Sequence, residues 1–113
     1  MNSIDSLDQL PVRSVVEQCR AILAAHYQKR LNSLILYGSA ARQELKAESD
    51  IDLLVVLNQP VDCALELRAI VDLLYPLQLE SSHWISAKPA IVEEFESGAI
   101  QLYRNILEEG VSV

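Results

Sequence analysis

Basic residues are few in this sequence. Its 113 residues include 9 lysines and arginines against 16 aspartates and glutamates, so the net charge is −7. Nonspecific affinity for nucleic acids comes mainly from basic side chains that neutralise phosphates. The charge balance therefore argues against DNA or RNA as the main partner, while a small nucleotide carried with its metal ion is still allowed.

Cysteine and long apolar stretches are also scarce. Cys19 and Cys63 are far apart in the chain, and each lies on the apolar side of a predicted helix, where a lone cysteine behaves as a small hydrophobic residue. No apolar stretch reaches the roughly 18 residues of a membrane span. Residues 1–10 lack the basic start and apolar block of a signal peptide. We predict one cytoplasmic domain, residues 1–113, with reduced cysteines and no membrane contact.

The pattern of apolar residues predicts a small α/β (α+β) fold in which helices flank a mixed sheet. A helical periodicity begins behind Pro11, and the run at 50–57 is apolar on both faces beyond its aspartates, as expected of a central strand. Asp62 is placed to cap a later helix that Pro76 would end. In full, we predict helices at 12–27, 62–76, 89–96 and 99–109, and strands at 34–38, 50–57 and 77–86.

Two aspartates at the head of the central strand are the first candidate site residues. Asp50 and Asp52 are two residues apart, and because side chains alternate along a strand they project to the same side. Two carboxylates in one small space repel each other unless one takes up a proton or a cation lies between them. Mg²⁺ is bound by one or two carboxylates together with substrate phosphates, so the pair predicts half of a metal site.

The segment that ends the preceding strand carries groups suited to binding the phosphates of such a substrate. The apolar run from Leu34 stops at Gly38, which lets the backbone turn and approach a ligand closely. Ser39 offers a hydroxyl and an amide, a helix beginning near Ala40 would attract anions at its N-terminus, and Arg42 adds a positive charge. A Gly-Ser turn alone has a purely conformational explanation, but with Asp-x-Asp after it the segment predicts a phosphate-binding loop.

Together the two segments resemble a known family. Gly38-Ser39-Ala40-Ala41-Arg42 and Ser49-Asp50-Ile51-Asp52-Leu53, with ten residues between Ser39 and Asp50, are similar to the motifs of nucleotidyltransferases of the DNA polymerase beta superfamily. Within it, the chain resembles the minimal nucleotidyltransferases of prokaryotes. The resemblance implies the nucleotidyltransferase fold, with Mg²⁺ held by the aspartates and a nucleoside triphosphate such as ATP held by Gly38, Ser39 and Arg42. Gln43 stands where the family often has glycine.

The resemblance also implies a third carboxylate on a neighbouring strand, where it would bind metal and activate the attacking hydroxyl. Glu80 is the candidate, because it is the only acidic residue in the strand predicted at 77–86. An exposed glutamate at the edge of the sheet is the alternative interpretation of the same residue.

The minimal nucleotidyltransferases often pair with a small helical HEPN-domain ribonuclease toxin and act as its antitoxin, some by adenylylating a toxin tyrosine. The resemblance therefore implies transfer of AMP to a hydroxyl of such a partner protein. Two alternatives stay open: a noncatalytic module that neutralises its partner by contact, and a small-molecule nucleotidyltransferase completed by a second subunit.

The last predicted helix is a candidate contact surface. It displays Leu102, Tyr103, Ile106 and Leu107 across two adjacent faces, and a large exposed apolar patch marks a protein interface. The alternatives are that this helix completes the core or forms a homodimer.

Overall fold

A computed structural model describes residues 2–3, 10–42 and 49–113. Gln43 lies outside the described residues. The helices are α1 (Leu10–Tyr27), α2 (Gly38–Ala41), α3 (Cys63–Glu80), α4 (Val92–Glu96) and α5 (Gln101–Glu109), with a 3-10 turn at Gln28–Arg30. The strands are β1 (Asn2–Ser3), β2 (Leu31–Tyr37), β3 (Ile51–Leu57), β4 (Ile85–Ile91) and β5 (Val111–Ser112).

The described strands form one mixed sheet in the order β1-β5-β2-β3-β4. β2 is antiparallel to β3 and β5, while β3 is parallel to β4 and β1 is parallel to β5. β3 lies between two neighbours, and its residues from Leu53 to Leu57 are all buried, so the predicted central strand is confirmed. The predicted fold class, helices around a small mixed sheet, is confirmed as well.

Helices cover both faces of the sheet. On one face α1 and α3 pack against alternate residues of β2 and β3, including Leu34, Leu36 and Leu53. On the other face α4 and α5 cover Ile35, Leu54 and Val56. Because strand residues alternate between faces, Asp52 belongs to the second face, beyond the part that α4 and α5 cover.

Helix α3 is longer than predicted. It begins after Asp62, whose carboxylate accepts from the Leu65 N–H at 3.2 Å, and it runs through Pro76 to Glu80. Proline removes one helical hydrogen bond, but Leu74 and Leu77 on either side of Pro76 are buried against the sheet, so packing holds the helix together there. The strand predicted at 77–86 is therefore wrong over 77–84, and Glu80 lies on a helix.

The third long strand begins where the predicted one ends. β4 contains Pro89, which the sequence placed at the start of a helix. The Ile51 N–H donates to the Trp84 carbonyl at 2.8 Å, and in a parallel ladder of this register the backbone groups of Pro89 point away from β3. Proline is tolerated on an outer edge because no N–H is needed there.

The C-terminal helix completes the core. Ile106 is buried, and Leu102, Tyr103 and Leu107 pack around it against the sheet, so this helix is not the exposed apolar surface that its sequence suggested. Among the described residues, the exposed large apolar side chains lie mainly on α3 and in the loop after it, with Ile100 before α5 as the exception. We call this set the α3 surface: Leu67, Val71, Tyr75, Leu79 and Trp84, each between 42% and 69% exposed.

A polar cluster joins α1 to α3 at the end of the sheet away from Asp52. Glu66 is buried and accepts hydrogen bonds from the Tyr27 hydroxyl at 3.0 Å and from Arg30 Nη2 at 2.7 Å. The hydrogen bond from Arg30 is the main reason that the pKa of Glu66 is lowered, with burial acting against it. A charged pair with this geometry fixes the start of α3 against the 3-10 turn.

The two cysteines differ. Cys19 is buried, and burial raises the pKa of its thiol to about 12, as expected of a structural residue. Cys63 is exposed, so its predicted place on the apolar side of the helix is wrong. Both thiols are free. None of the described helices has the length and apolar character to cross a membrane.

Candidate active site

Asp50 and Asp52 lie where β3 begins, beside the end of β2. Asp52 is half-buried and pairs with Tyr37 across the antiparallel ladder, whereas Asp50 precedes the strand and is exposed. Burial raises the pKa of the Asp52 carboxyl, and the nearby Asp50 charge raises it further, while Lys88 acts in the opposite direction. The Asp50 charge thus adds to the effect of burial on Asp52, and a cation between the two carboxylates would offset both effects.

Gly38 brings the β2–α2 junction against this pair. Its φ angle is +73°, and a Cβ atom built on it would lie 2.5 Å from Oδ2 of Asp52. Only glycine adopts this backbone conformation readily and leaves room for the carboxylate. The turn predicted at Gly38 is thus present, and the backbone approaches the aspartate closely.

Ser39 and Arg42 lie in the short helix and at its end. Ser39 is half-buried in α2, whose four residues begin with Gly38. Arg42 is exposed, with Nη1 3.4 Å from Oε2 of Glu109 on α5. Gly38, Arg42 and Glu109 help line a cavity of about 260 Å³ between α2 and α5. Arg42 thus faces a space beside the glycine turn.

Glu80 does not join the two aspartates. It is the last residue of α3 and is exposed. Within residues 10–42 and 49–113, no three acidic, histidine or cysteine side chains are grouped closely enough to hold a metal ion. The expected place of Glu80 on a strand beside the aspartates is wrong, because α3 continues through Pro76 to Glu80 and the strand next to β3 begins only at Ile85.

His83 holds the backbone in front of Asp50, a role that the sequence did not indicate. Its Nδ1 lies 2.9 Å from the Ser49 carbonyl oxygen. Around it, Gln78 donates to the His83 carbonyl at 3.0 Å and accepts from the Ile85 N–H at 2.6 Å. The loop between α3 and β4 is therefore tied both to the start of β3 and to the end of α3, which fixes the backbone that carries the aspartates.

Tyr37 is a further site residue that sequence reasoning missed. It is buried next to Asp52, and burial, followed by the charges of Asp52 and Tyr103, raises the pKa of its hydroxyl to about 12. The side chain is neutral at pH 7 and lines the same cavity as Gly38. Its position directly before the glycine, on the face shared with Asp52, was the available signal.

Two comparisons with known proteins agree with this geometry. The family model described as "Polymerase beta, Nucleotidyltransferase" matches residues 17–113. The chain belongs to this family. A Methanocaldococcus jannaschii protein named "Putative protein adenylyltransferase" is 35% identical over 89 residues, which cover 78% of this chain and 83% of that protein. The nucleotidyltransferase resemblance is thereby confirmed at the level of the family.

The donor atoms at this nucleotidyltransferase site suit a hard divalent cation. Asp50 and Asp52 offer carboxylate oxygens on one side of β3, and Mg²⁺ takes one or two such groups with the remaining positions filled by phosphate and water. Burial and the Asp50 charge both raise the pKa of Asp52, and a cation bound at the pair would offset both effects. One Mg²⁺ fits these residues.

Proposed function

We propose that this protein transfers AMP from ATP to a hydroxyl group of a partner protein, with Mg²⁺ held by Asp50 and Asp52. The close approach of Gly38 to Asp52 is the observation that carries the proposal, because it brings a glycine turn suited to phosphates against a carboxylate pair suited to a cation. The name of the M. jannaschii relative supports a protein as acceptor and an adenylyl group as cargo.

In the proposed reaction an oxygen of the acceptor hydroxyl forms a bond to the α-phosphorus of ATP. The bond from that phosphorus to the bridging oxygen of the β-phosphate breaks, pyrophosphate leaves with the electron pair, and the hydroxyl proton passes to water. A bound Mg²⁺ would supply neutralisation of the phosphate charge. Gly38 and Ser39 would hold the triphosphate, and Arg42 would add a positive charge beside it.

A protein acceptor fits the surface around the site. Trp84 is 64% exposed, and its carbonyl accepts a hydrogen bond from the Ile51 N–H. The Trp84 end of the α3 surface therefore lies beside Ile51, the residue that follows Asp50. Exposed apolar patches mark contacts with proteins, whereas the net charge of −7 disfavours a nucleic acid.

We propose a HEPN-type helical toxin as the partner and antitoxin action as the role. Two free thiols accord with a cytoplasmic protein.

Neutralisation by contact alone is the second candidate. It is favoured by one observation: the described strands on either side of Asp52 place Tyr37 and Ser86 opposite it, and neither is an acid. A module of this kind would keep its partner inactive whether or not nucleotide is present.

The two candidates are separated by mixing the chain with its copurified partner, ATP labelled on the α-phosphate, and Mg²⁺. Catalysis predicts label on the partner and a mass increase of one adenylyl group, lost in Asp50→Asn and Asp52→Asn. Glu17→Gln, which removes a charge from an exposed pair with Arg13 on α1, is the matched control and keeps the label. An unlabelled partner that is still inhibited by the Asn variants would establish contact alone.

A further inference from the structure

The strand next to Asp52 carries a serine opposite that aspartate and a lysine two residues further along, but no acid. β4 runs parallel to β3, with Ser86 opposite Asp52 and Lys88 opposite Leu54. Residues 85–91 read ISAKPAI and include no aspartate or glutamate. Across the other ladder Asp52 faces Tyr37. Both strands that flank the carboxylate pair therefore leave it without a third acidic ligand.

Lys88 belongs to the same face of the sheet as Asp52. Ser86, Lys88 and Ala90 alternate with Ile85 and Ala87, which are buried on the opposite face. The side chain of Lys88 is exposed and, with Ser86, lines a cleft of about 380 Å³ at the edge of the sheet. The Lys88 side chain thus lies on the same face as Asp52 and is open to solvent.

We propose that Lys88 stands in for a second metal ion, so that this site takes one divalent cation per bound nucleotide and the Lys88 ammonium contacts the nucleotide phosphates. The inference rests on the proposed function, since it concerns how the same site binds a nucleoside triphosphate.

The charges of the site support a single cation. Two-metal sites place their ions about 3.5–4 Å apart and need ligands for both, and here two carboxylates are the acidic ligands that the described strands provide. A lysine ammonium is a compact point charge on a flexible stem with three donors. It can neutralise a phosphate oxygen without acidic ligands of its own, whereas a second divalent ion beside it would be repelled.

The direct test counts ions. The whole chain is equilibrated with Mn²⁺ and α,β-methylene-ATP, which cannot be cleaved at the reacting bond, and bound Mn²⁺ and bound analogue are measured by electron paramagnetic resonance and absorbance. We expect one Mn²⁺ per bound analogue. A ratio of two in the wild type would overturn the inference.

Variants of Lys88 test the role of its charge. Lys88→Ala should weaken analogue binding about tenfold, the loss of one charge-assisted hydrogen bond, with the ratio still at one, and Lys88→Arg should restore most of the affinity. Lys29→Ala is the matched control. Lys29 is also an exposed lysine, but it lies in the 3-10 turn before β2, at the end of that strand opposite to Gly38. Equal affinities for wild type and Lys88→Ala would overturn the inference.

A gain of a second ion is the complementary test. The double variant Ser86→Asp with Lys88→Ala places an acid opposite Asp52 and removes the ammonium, so the ratio should rise to two. A ratio of one in this variant, with its fold verified by circular dichroism, would overturn the assignment. A ratio of one Mn²⁺ per analogue, with an affinity that does not depend on Lys88, would contradict this inference alone. If the wild type bound no Mn²⁺ and nucleotide, the proposed function would be contradicted as well.

Discussion

Gly38 and Asp52 lie so close together at the end of the β2–β3 ladder that a Cβ atom on Gly38 would overlap the Asp52 carboxylate. The glycine adopts a left-handed conformation, and any side chain on it would meet a carboxylate oxygen at 2.5 Å. The position thus combines a backbone requirement with a space requirement, and both are met by glycine alone. This contact joins the turn that is suited to phosphates with the residue that is suited to the cation.

Gly38→Ala should therefore impair the site more than the fold. The left-handed backbone costs alanine on the order of 1–3 kcal/mol, and the methyl group must displace the Asp52 carboxylate. Gly98→Ala is the control: its φ is +65°, but its Cβ would meet the flexible Arg104 side chain. We expect both variants to lose stability in urea titrations and only Gly38→Ala to lose Mg·ATP affinity in calorimetry. Equal affinities would separate the glycine from ligand binding.

Asp52→Asn should stabilise the ligand-free protein at pH 7 and abolish its stabilisation by Mg·ATP. The pKa of Asp52 is raised above its ordinary value, so the folded state favours the protonated carboxyl and stability declines as pH rises through the folded pKa. Asparagine carries no charge and so avoids the cost of burying an ionised carboxylate. The difference in stability between Asp52→Asn and the wild type should therefore vanish below the ordinary pKa of aspartate. Melting temperatures with and without Mg·ATP test both points. A wild type that Mg·ATP fails to stabilise would contradict the site.

Much of the site could be predicted because its signals are local. The alternation of Asp50 and Asp52 around a buried Ile51, and a glycine at the end of β2, are properties of short segments, and the structure keeps both. The partner strand could not be placed in the same way. Pro76 is a strong helix terminator in isolation, yet burial of its neighbours Leu74 and Leu77 outweighs its lost hydrogen bond.

Ending the predicted helix at Pro76 also misplaces the predicted positions of several later elements. Once α3 extends to Glu80, the next strand must begin after the loop, at Ile85, and Pro89 becomes a residue of the outer edge. Lys88 and Ser86 then lie beside Asp52, where no sequence pattern had placed them. For the apolar residues of α5 the sequence left both an exposed surface and the core open, since amphipathic spacing alone does not say which helix the sheet buries.

Glu80→Gln should leave both Mg·ATP affinity and transfer rate within about twofold of the wild type. Its side chain is exposed at the end of α3 and does not cluster with the aspartates, and exposed substitutions far from special features change stability by under about 0.5 kcal/mol. Rates of adenylyl transfer to the copurified partner, compared with those of Asp50→Asn, provide the measurement. A large drop for Glu80→Gln would restore it as the third carboxylate.

Glu66→Gln should destabilise the fold in a pH-dependent way. The hydrogen bond from Arg30 lowers the pKa of Glu66, so its contribution to stability is present above the ordinary pKa of glutamate and is lost as pH falls through the folded pKa. We expect a loss of about 1–3 kcal/mol at pH 7 and a smaller one near pH 3, by urea titration. Glu17→Gln, in an exposed pair, should change little at either pH. A pH-independent loss would point to packing instead.

The α3 surface should bind the partner without taking part in nucleotide binding. Tyr75 and Leu79 are 58% and 69% exposed and lie along a helix that leads to Trp84 beside the site, so replacing both by Gln removes apolar contact area at little cost to the fold. Leu65→Gln is the matched control, because Leu65 is 64% exposed on the same helix but at its opposite end.

We expect the Tyr75→Gln/Leu79→Gln variant to lose the copurifying partner in size exclusion and to keep wild-type Mg·ATP affinity, while Leu65→Gln keeps both. High salt should not disrupt the wild-type complex, since apolar contacts are not screened by ions. A shift of the wild-type chain itself from dimer to monomer in the double variant would instead identify the surface as a contact between copies. Retention of the partner by the double variant would show that it docks elsewhere on the chain.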